Sequence, residues 1–194
     1  AARKTIFDKC GPTDILVNGA GGNNKNATTG GTSIADQIDP TFFNLDPAGI
    51  QFVFDVNFIG TMLATQVFAR DMVERKSGSI INISSMSAFR PLTKVMSYSA
   101  AKAAVNSLTE WLSVHMAPAN VRVNAIAPGF FLTEQNRFLL TDEKTGALTA
   151  RGNTIVNNTP MKRFGEAKEL IAALVYLLGP GASFVTGTVV AVDG

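Results

Sequence analysis

Residues 14–22 read DILVNGAGG, a short apolar run that passes directly into a turn containing three glycines. Three more short apolar, β-branched runs begin at Ser79, Val121 and Thr188. Helical patterns lie between these runs, over about 46–76, 95–116 and 166–178. Apolar strands that alternate with helices are typical of a parallel sheet covered on both faces. The sequence therefore predicts a doubly wound α/β fold.

Composition limits the class of protein. The chain has 194 residues, a net charge of +2, 16% charged residues and 46% hydrophobic residues. Such a chain can bury a core, and its low charge argues against disorder and against nucleic-acid binding. No repeat or linker divides it. We therefore expect residues 1–194 to form one domain.

Several other classes of site are excluded by simple counts. The chain has one cysteine, Cys10, and one histidine, His115, which excludes a disulfide framework and the usual zinc ligand sets, so we predict no metal. We find no signal-peptide pattern and no apolar run near the roughly 18 residues of a membrane span. We accordingly expect a cytoplasmic protein that does not bind a membrane.

The first two helical patterns are apolar around most of their circumference. A helix of this kind is buried on two sides. One side would cover the sheet, and the other would either meet the same helices of a second subunit or lie under the chain's own loops. We favour a homo-oligomer, a dimer or a homotetramer, formed through the two long helices.

Glycine-containing or polar turns follow three of the strand candidates. They are residues 18–22, Ser84-Ser85 and Pro128-Gly129. Ligands of open α/β sheets bind beyond the carboxyl ends of the strands, and glycine lets backbone approach them closely. Together these turns predict a ligand crevice at one edge of the sheet.

A candidate acid/base group lies at the start of the second long helix. Tyr98 and Lys102 are four residues apart and so share one helix face. An ammonium beside a phenol favours the phenolate, so we expect Lys102 to lower the pKa of Tyr98. Ser85, at a strand end, would hydrogen-bond the oxygen that Tyr98 protonates. The alternative is a Tyr packed in the core and a Lys on the surface.

Asn57 lies in an otherwise apolar part of the first long helix. A buried amide needs hydrogen-bond partners. Its position therefore predicts a local helix distortion or a bound water, with Gly60 easing the bend.

The chain resembles the short-chain dehydrogenase/reductases of the classical type. The resemblance rests on the order and spacing of a few motifs and covers essentially the whole chain. These motifs are Asn18-Gly19-Ala20-Gly21, Asn57, Ser85, Tyr98-x-x-x-Lys102, Pro128-Gly129 and Val185-Thr186-Gly187.

This resemblance implies a Rossmann-like domain and an oxidoreductase that uses NAD or NADP. Tyr98 would be the catalytic acid/base, Lys102 would lower its pKa and hold the nicotinamide ribose, and Ser85 would position the substrate oxygen. Asn57 would hold a water in a proton relay. The further cofactor residues implied are Asn18, Gly19, Ala20, Gly21, Pro128, Gly129 and Thr133.

The family's opening strand and glycine-rich turn, which bind the pyrophosphate, have no counterpart before residue 14. We therefore expect the chain to be an N-terminally incomplete part of such a domain. The choice between NAD and NADP rests on residues of that missing portion.

The substrate implied is a sugar acid. The turn at residues 18–23 and the long segment 130–165 resemble the branch of D-mannonate oxidoreductases and gluconate 5-dehydrogenases. We expect segment 130–165 to form a substrate lid. Basic and amide side chains near the site would bind a carboxylate and hydroxyls, or would simply be solvated. These candidates are Asn24, Arg90, Lys94 and Arg137, together with Ser85.

Two other hypotheses compete with the oxidoreductase hypothesis. The fold could serve as a catalytically silent dinucleotide-sensing or assembly module. It could also belong to an epimerase or dehydratase with tightly held NAD, although the short C-terminal part leaves little room for a sugar-nucleotide domain.

Overall fold

The computed structural model describes residues 2–134, 136–142 and 144–194. Four strands and seven α-helices occur in this part of the chain. In chain order they are α1 (Ala2–Cys10), β1 (Ile15–Asn18), α2 (Pro47–Phe54), α3 (Gly60–Arg75), β2 (Gly78–Ile83), α4 (Met96–Met116), β3 (Val121–Pro128), α5 (Arg137–Leu140), α6 (Ala150–Asn158), α7 (Glu169–Leu178) and β4 (Val189–Val192). A π-helical turn, Asp55–Ile59, joins α2 to α3.

The strands form one parallel sheet in the order β1-β2-β3-β4. Val17 is paired with Ile81, and Ile81 with Asn124, so the register runs straight across β1, β2 and β3. Because all the strands are parallel, their carboxyl ends meet at one edge of the sheet. That edge carries the turns that the sequence marks as candidate ligand sites.

Helices cover both faces of the sheet. Neighbouring residues of a strand point to opposite faces, and β2 shows this directly. Ile80 packs in a cluster with Met72 of α3 and Leu112 of α4, whereas Ile81 packs with Leu177 of α7. The predicted doubly wound, Rossmann-like α/β fold is confirmed.

The boundaries of the helices follow local capping chemistry. The Asp46 carboxylate accepts a hydrogen bond from Ala48 N at 2.9 Å, and Pro47 occupies the first helical position of α2. The third predicted helix begins at Glu169 rather than 166, because the Glu169 carboxylate accepts from the backbone N–H of Glu166 at 2.8 Å and holds a turn there.

The expectation that no segment is long and apolar enough to span a membrane is wrong by length and composition. The continuous helix Pro47–Arg75 has 29 residues and an 18-residue window with a mean hydropathy of 1.4. A helix that packs on a protein core passes the same test, and Ala69 and Met72 of this helix pack against Ile80 of the sheet.

The segment predicted as a lid contains α5 and α6, and its two ends are joined. Phe131 and Gly165 form a parallel bridge, in which Leu132 N donates to Gly165 O at 3.1 Å and Gly165 N donates to Phe130 O at 3.0 Å. The segment therefore leaves and returns at one place, just beyond the carboxyl end of β3.

Candidate active site

Ser85 and Tyr98 line one cavity at the carboxyl edge of the sheet, and Ser85 lowers the pKa of the Tyr98 phenol through a side-chain hydrogen bond. Ser85 follows β2 and caps a short 3-10 turn, where its Oγ accepts from Ser87 N at 3.2 Å and from Ser87 Oγ at 3.0 Å. Because these bonds use the Ser85 oxygen as acceptor, its own proton is free to be donated to the Tyr98 oxygen. Tyr98 lies in the first turn of α4, which brings it to the same edge of the sheet.

Burial raises the pKa of the Tyr98 phenol above its ordinary value of 10.0, and the hydrogen bond with Ser85 opposes that rise. The predicted lowering of this pKa by Lys102 is therefore wrong for this structure. The Lys102 ammonium lies 5.7 Å from the centre of the Tyr98 ring and donates to the backbone oxygen of Ile83 at 2.8 Å. Desolvation of the phenol outweighs the effects that favour the phenolate.

Lys102 is almost completely buried, and burial lowers its pKa from 10.5 to about 8. Within the described residues, the Lys102 ammonium donates one hydrogen bond, to Ile83 O. Lys102 is thus an ammonium at neutral pH. Its charge is compensated by one backbone oxygen, and it lines the cavity described below.

Asn57 is fully buried within the π-helical turn, so the predicted helix distortion is present. Its Nδ2 donates to Gly22 O at 2.7 Å and to Val53 O at 2.8 Å, and its Oδ1 accepts from Gly22 N at 3.2 Å. A Cβ on Gly21 would lie 2.7 Å from Asn57 Oδ1 and 3.2 Å from Lys102 Nζ. Asn57 therefore holds the glycine turn against Lys102, and only glycine fits at residue 21.

A cavity of about 310 Å³ lies at the carboxyl edge of the sheet, between the glycine turn, Ser85, Tyr98 and Lys102. This volume lies near the lower end of typical ligand pockets. The lining residues are Gly19, Gly21, Gly22, Ile83, Ser84, Ser85, Tyr98, Lys102, Pro128 and Gly129. The cavity combines a glycine cradle with a hydroxyl, a phenol and an ammonium, a donor set that suits the ribose and amide groups of a dinucleotide.

Three of the predicted cofactor residues do not line this cavity. The Asn18 side chain points into the protein, where Nδ2 donates to Thr65 Oγ1 at 3.0 Å and to Asn82 Oδ1 at 2.8 Å. Ala20 is exposed beside the cavity. Thr133 is exposed in the turn before α5, and its N–H donates to Asn136 Oδ1 at 2.9 Å.

A second, larger cavity of about 690 Å³ adjoins the first and shares Gly129 with it. Of the predicted substrate residues that lie outside the first cavity, Lys94 alone lines the second within the described chain. Arg90 is exposed, Asn24 caps the 3-10 turn Lys25–Ala27, and Arg137 pairs with Glu134 at 2.9 Å on the surface. Nearness to the catalytic motifs in sequence does not specify the direction of a side chain.

The second cavity also contains polar residues that the sequence reading missed. Arg151, Thr154 and Asn158 of α6 line it, and Asp193 follows β4 at its edge. The three α6 residues have the spacing of a single helix face. That spacing was the available signal, but a polar stripe on a helix is also typical of an ordinary solvent-facing surface.

The comparison with known families supports this geometry. The sequence model of a family described as enoyl-(acyl carrier protein) reductase matches residues 1–194. The chain belongs to the short-chain dehydrogenase/reductase family, and the predicted oxidoreductase class and use of NAD(P) are confirmed at the level of that family.

Particular relatives are more specific. An uncharacterized oxidoreductase of Haemophilus influenzae is 50% identical over 196 residues, which cover 99% of this chain and 68% of the relative. A crystal structure provisionally assigned as a D-mannonate oxidoreductase from Haemophilus influenza, with bound NAD, is 49% identical with a TM-score of 0.90, over 100% of this chain and 70% of that one. A gluconate 5-dehydrogenase from Burkholderia cenocepacia, in complex with NADP and tartrate, is 30% identical with a TM-score of 0.84, over 100% of this chain and 68% of that one.

Proposed function

We propose that this chain carries the catalytic site of an NAD(P)-dependent oxidoreductase that interconverts a secondary alcohol and a ketone on a sugar acid. The observation that carries the proposal is that Ser85, Tyr98 and the buried Lys102 line one cavity at the carboxyl edge of the sheet. Reduction of a ketone requires a hydride at carbon and a proton at oxygen.

The chain's own residues handle the proton. Because burial keeps the Tyr98 phenol protonated at neutral pH, Tyr98 is the proton donor in the direction of reduction. Ser85 donates a hydrogen bond to the substrate carbonyl oxygen, which also receives the proton from Tyr98, and so orients the carbonyl. The Lys102 ammonium lies 5.7 Å from the centre of the Tyr98 ring, where it can bind a group of the cofactor beside the phenol.

The cofactor would lie along the glycine turn. Gly19, Gly21, Pro128 and Gly129 line the cavity and would contact the dinucleotide, and Lys102 would contact its ribose. When bound, the nicotinamide supplies or accepts the hydride. Asn57 keeps the turn in the shape that leaves this cavity open, and we retain for it the predicted part in a proton relay.

We propose D-mannonate and D-fructuronate as the first substrate pair and the gluconate type as the second. The names of the similar structures support a sugar acid, as does the tartrate in one of them, which is a small dicarboxylate. Lys94 supports it within this chain, because it brings a cation to the wall of the larger cavity.

The test is a screen of the intact protein against D-fructuronate, 5-keto-D-gluconate and neutral ketoses, with NADH and with NADPH. We expect turnover of at least one sugar acid by the wild type and loss of that turnover in Tyr98→Phe, with cofactor affinity retained. A wild type that binds the cofactor but turns over none of the panel would instead support the silent dinucleotide-sensing module.

We also propose that the protein is a cytoplasmic homotetramer with contacts through the two long helices. Large apolar side chains on their outer faces are 40–77% exposed in the single chain. They are Phe52, Leu63, Val67, Val73, Trp111 and Val114. Sedimentation of the wild type and of Trp111→Glu tests the contact, because a charge in an apolar interface would favour smaller species.

A further inference from the structure

The larger cavity is placed to hold the part of a substrate that does not react. It shares Gly129 with the cofactor cavity, and Met86, which lines it, directly follows Ser85. A carbonyl at Ser85 and Tyr98 would therefore extend its remaining carbons into the larger cavity. The charged side chains lining that cavity in the described chain are Lys94, Arg151 and Asp193.

Arg151 is carried by a firmly seated helix. Thr149 caps α6 by accepting from Gly152 N at 3.1 Å, and its hydroxyl donates to Leu139 O at 2.8 Å. A Cβ on Gly152 would lie 2.2 Å from Leu140 O, so α6 packs directly against the end of α5. Arg151 is thus on a helix of fixed position, one turn before Thr154 and Ile155, which line the same cavity.

The Arg151 guanidinium has no internal partner in the described part of the chain. Arg3, Arg75, Arg137 and Arg163 pair with carboxylates there, and Arg70 and Arg122 donate to backbone oxygens. Arg151 shares the lack of a side-chain bond there with Arg90, but Arg90 does not line the cavity. A cation in the first turn of a helix is also unfavourable, because that end of the helix is electropositive. Helix stability therefore does not explain an arginine at residue 151.

Lys94 is held on another wall of the cavity by the segment that follows β1. Its Nζ donates to Gly30 O at 2.5 Å, and its backbone oxygen accepts from Thr29 N at 3.0 Å. Two bonds to one loop fix both the backbone and the ammonium of Lys94. Within the described chain, the cavity is thus lined by two cations from separate segments, a bonded ammonium at Lys94 and an unpaired guanidinium at Arg151, and by one carboxylate, at Asp193.

We propose that Arg151, together with Lys94, binds the carboxylate of an anionic substrate and so determines the preference for acids over neutral ketoses. A guanidinium offers two parallel N–H groups to a carboxylate, and the ammonium adds a second charge-assisted bond. This inference rests on the proposed function for the reaction itself, and it assigns the residue that selects the substrate.

The experiment compares D-fructuronate with D-fructose, which differ in one carboxylate, and 5-keto-D-gluconate with L-sorbose, which differ in the same way. We expect Arg151→Met to raise KM for the acid by about 10- to 100-fold, the effect of losing a hydrogen bond to a charged group. KM for the neutral ketose and kcat for both should change less than about twofold. Lys94→Met should show the same split more weakly, and Lys144→Met, which removes a cation from the same segment outside the cavity, should change neither KM.

Calorimetric titration with D-mannonate provides a second readout that does not depend on turnover. We expect Arg151→Met to weaken binding by the same factor, and circular dichroism would show that the variant is folded. Equal effects of Arg151→Met on acid and neutral substrates would overturn the carboxylate assignment and leave the oxidoreductase proposal intact. If the wild type shows no turnover, the proposed function is wrong. The role of Arg151 would then be tested by comparing the affinity of the wild type and of Arg151→Met for D-mannonate. Equal affinity of wild type and variant would exclude that role.

Discussion

The two cavities of this protein are built from different kinds of structure. The smaller one is lined by the turns after β1, β2 and β3 and by the first two turns of α4. Lys102, which lines it, and Asn57, which holds its glycine turn, are bonded to backbone oxygens. The larger one is walled by residues 91–95 and by α6, where the polar side chains that line it are largely exposed.

In the proposed function, the smaller cavity performs the reaction and the larger cavity selects the substrate. Asn57 and Lys102 are nearly inaccessible to solvent, so a change at either affects both folding and catalysis. The Arg151 side chain makes no ion pair with the rest of the described chain. A change at residue 151 can therefore alter the substrate at little cost in stability, which is typical of specificity residues on loops and peripheral helices.

The largest expected effect tests the chemical side of this comparison. Tyr98→Phe removes the proton donor and should lower kcat between about 100- and 10,000-fold. The phenol lies partly open to the cavity, so unfolding free energy and cofactor affinity should change little. Steady-state kinetics and cofactor titration measure the two quantities. A variant that retains more than a tenth of wild-type kcat would show that the proton comes from another group.

Asn57→Ala tests whether the smaller cavity depends on the fold around it. The change leaves the N–H and the carbonyl of Gly22 and the carbonyl of Val53 without the partner that now bonds them. We expect a loss of about 3 kcal/mol in unfolding free energy, from buried groups left unsatisfied. Urea denaturation measures it, with Asn26→Ala as the matched control because Asn26 is exposed. Equal losses in the two variants would contradict the assigned role.

The lowered pKa of Lys102 predicts how the unfolding free energy depends on pH. Its pKa is about 8 in the folded protein and 10.5 as the ordinary value, so between these values the unfolded chain binds more protons. Unfolding free energy should therefore rise with pH in this window, by about 2 kcal/mol between pH 7.5 and 9.5. The raised pKa of Tyr98 keeps the phenol neutral over that range.

Chemical denaturation at several pH values checks this contribution. In Lys102→Met the rise should be absent, because the group that releases its proton has gone. A rise of the same size in the variant would assign the pH dependence to a different residue.

The smallest expected effects lie on the exposed side. Arg90 and Arg137 were predicted as substrate residues, but neither lines the larger cavity. Arg90→Met and Arg137→Met should change KM for a sugar acid by less than about twofold, since surface charges and surface ion pairs contribute little. Kinetics with the acid substrate measure this, and a tenfold increase in KM would show that the segment around either residue closes over the substrate.

The same division explains what the sequence could predict. The strands, the long helices and the grouping of Ser85, Tyr98 and Lys102 follow from hydrophobic periodicity and from the rule that ligands bind at the carboxyl edge of a parallel sheet. The direction of the Tyr98 pKa could not be predicted, because it depends on how deeply the phenol is buried.

Side-chain direction accounts for the remaining errors. Asn18 is in a motif that borders the cavity, yet its amide bonds Asn82 and Thr65 inside the protein. Arg151 is far from the catalytic motifs in sequence and reaches the cavity only because α6 folds back over the edge of the sheet. Both placements depend on tertiary packing. The polar face of α6 is visible in the sequence, but the sequence does not show which surface that face meets.

The π-helical turn has a consequence for the rotational phase of the helix that contains it. Its buried residues recur every four positions, at Val53, Asn57, Thr61, Thr65 and Ala69. In a regular α-helix each four-residue step advances the buried stripe by about 40° beyond a full turn. The wider turn takes up part of that drift, so that along one stripe Val53 packs with Ala101 of α4 and Thr65 bonds Asn18 of β1. Removing one residue between 55 and 59 would rotate everything downstream by about 100°, and Thr65 would turn away from Asn18. The π-helical turn thus has two effects. It keeps Thr65 in contact with Asn18 of β1, and it directs the Asn57 amide to the glycine turn.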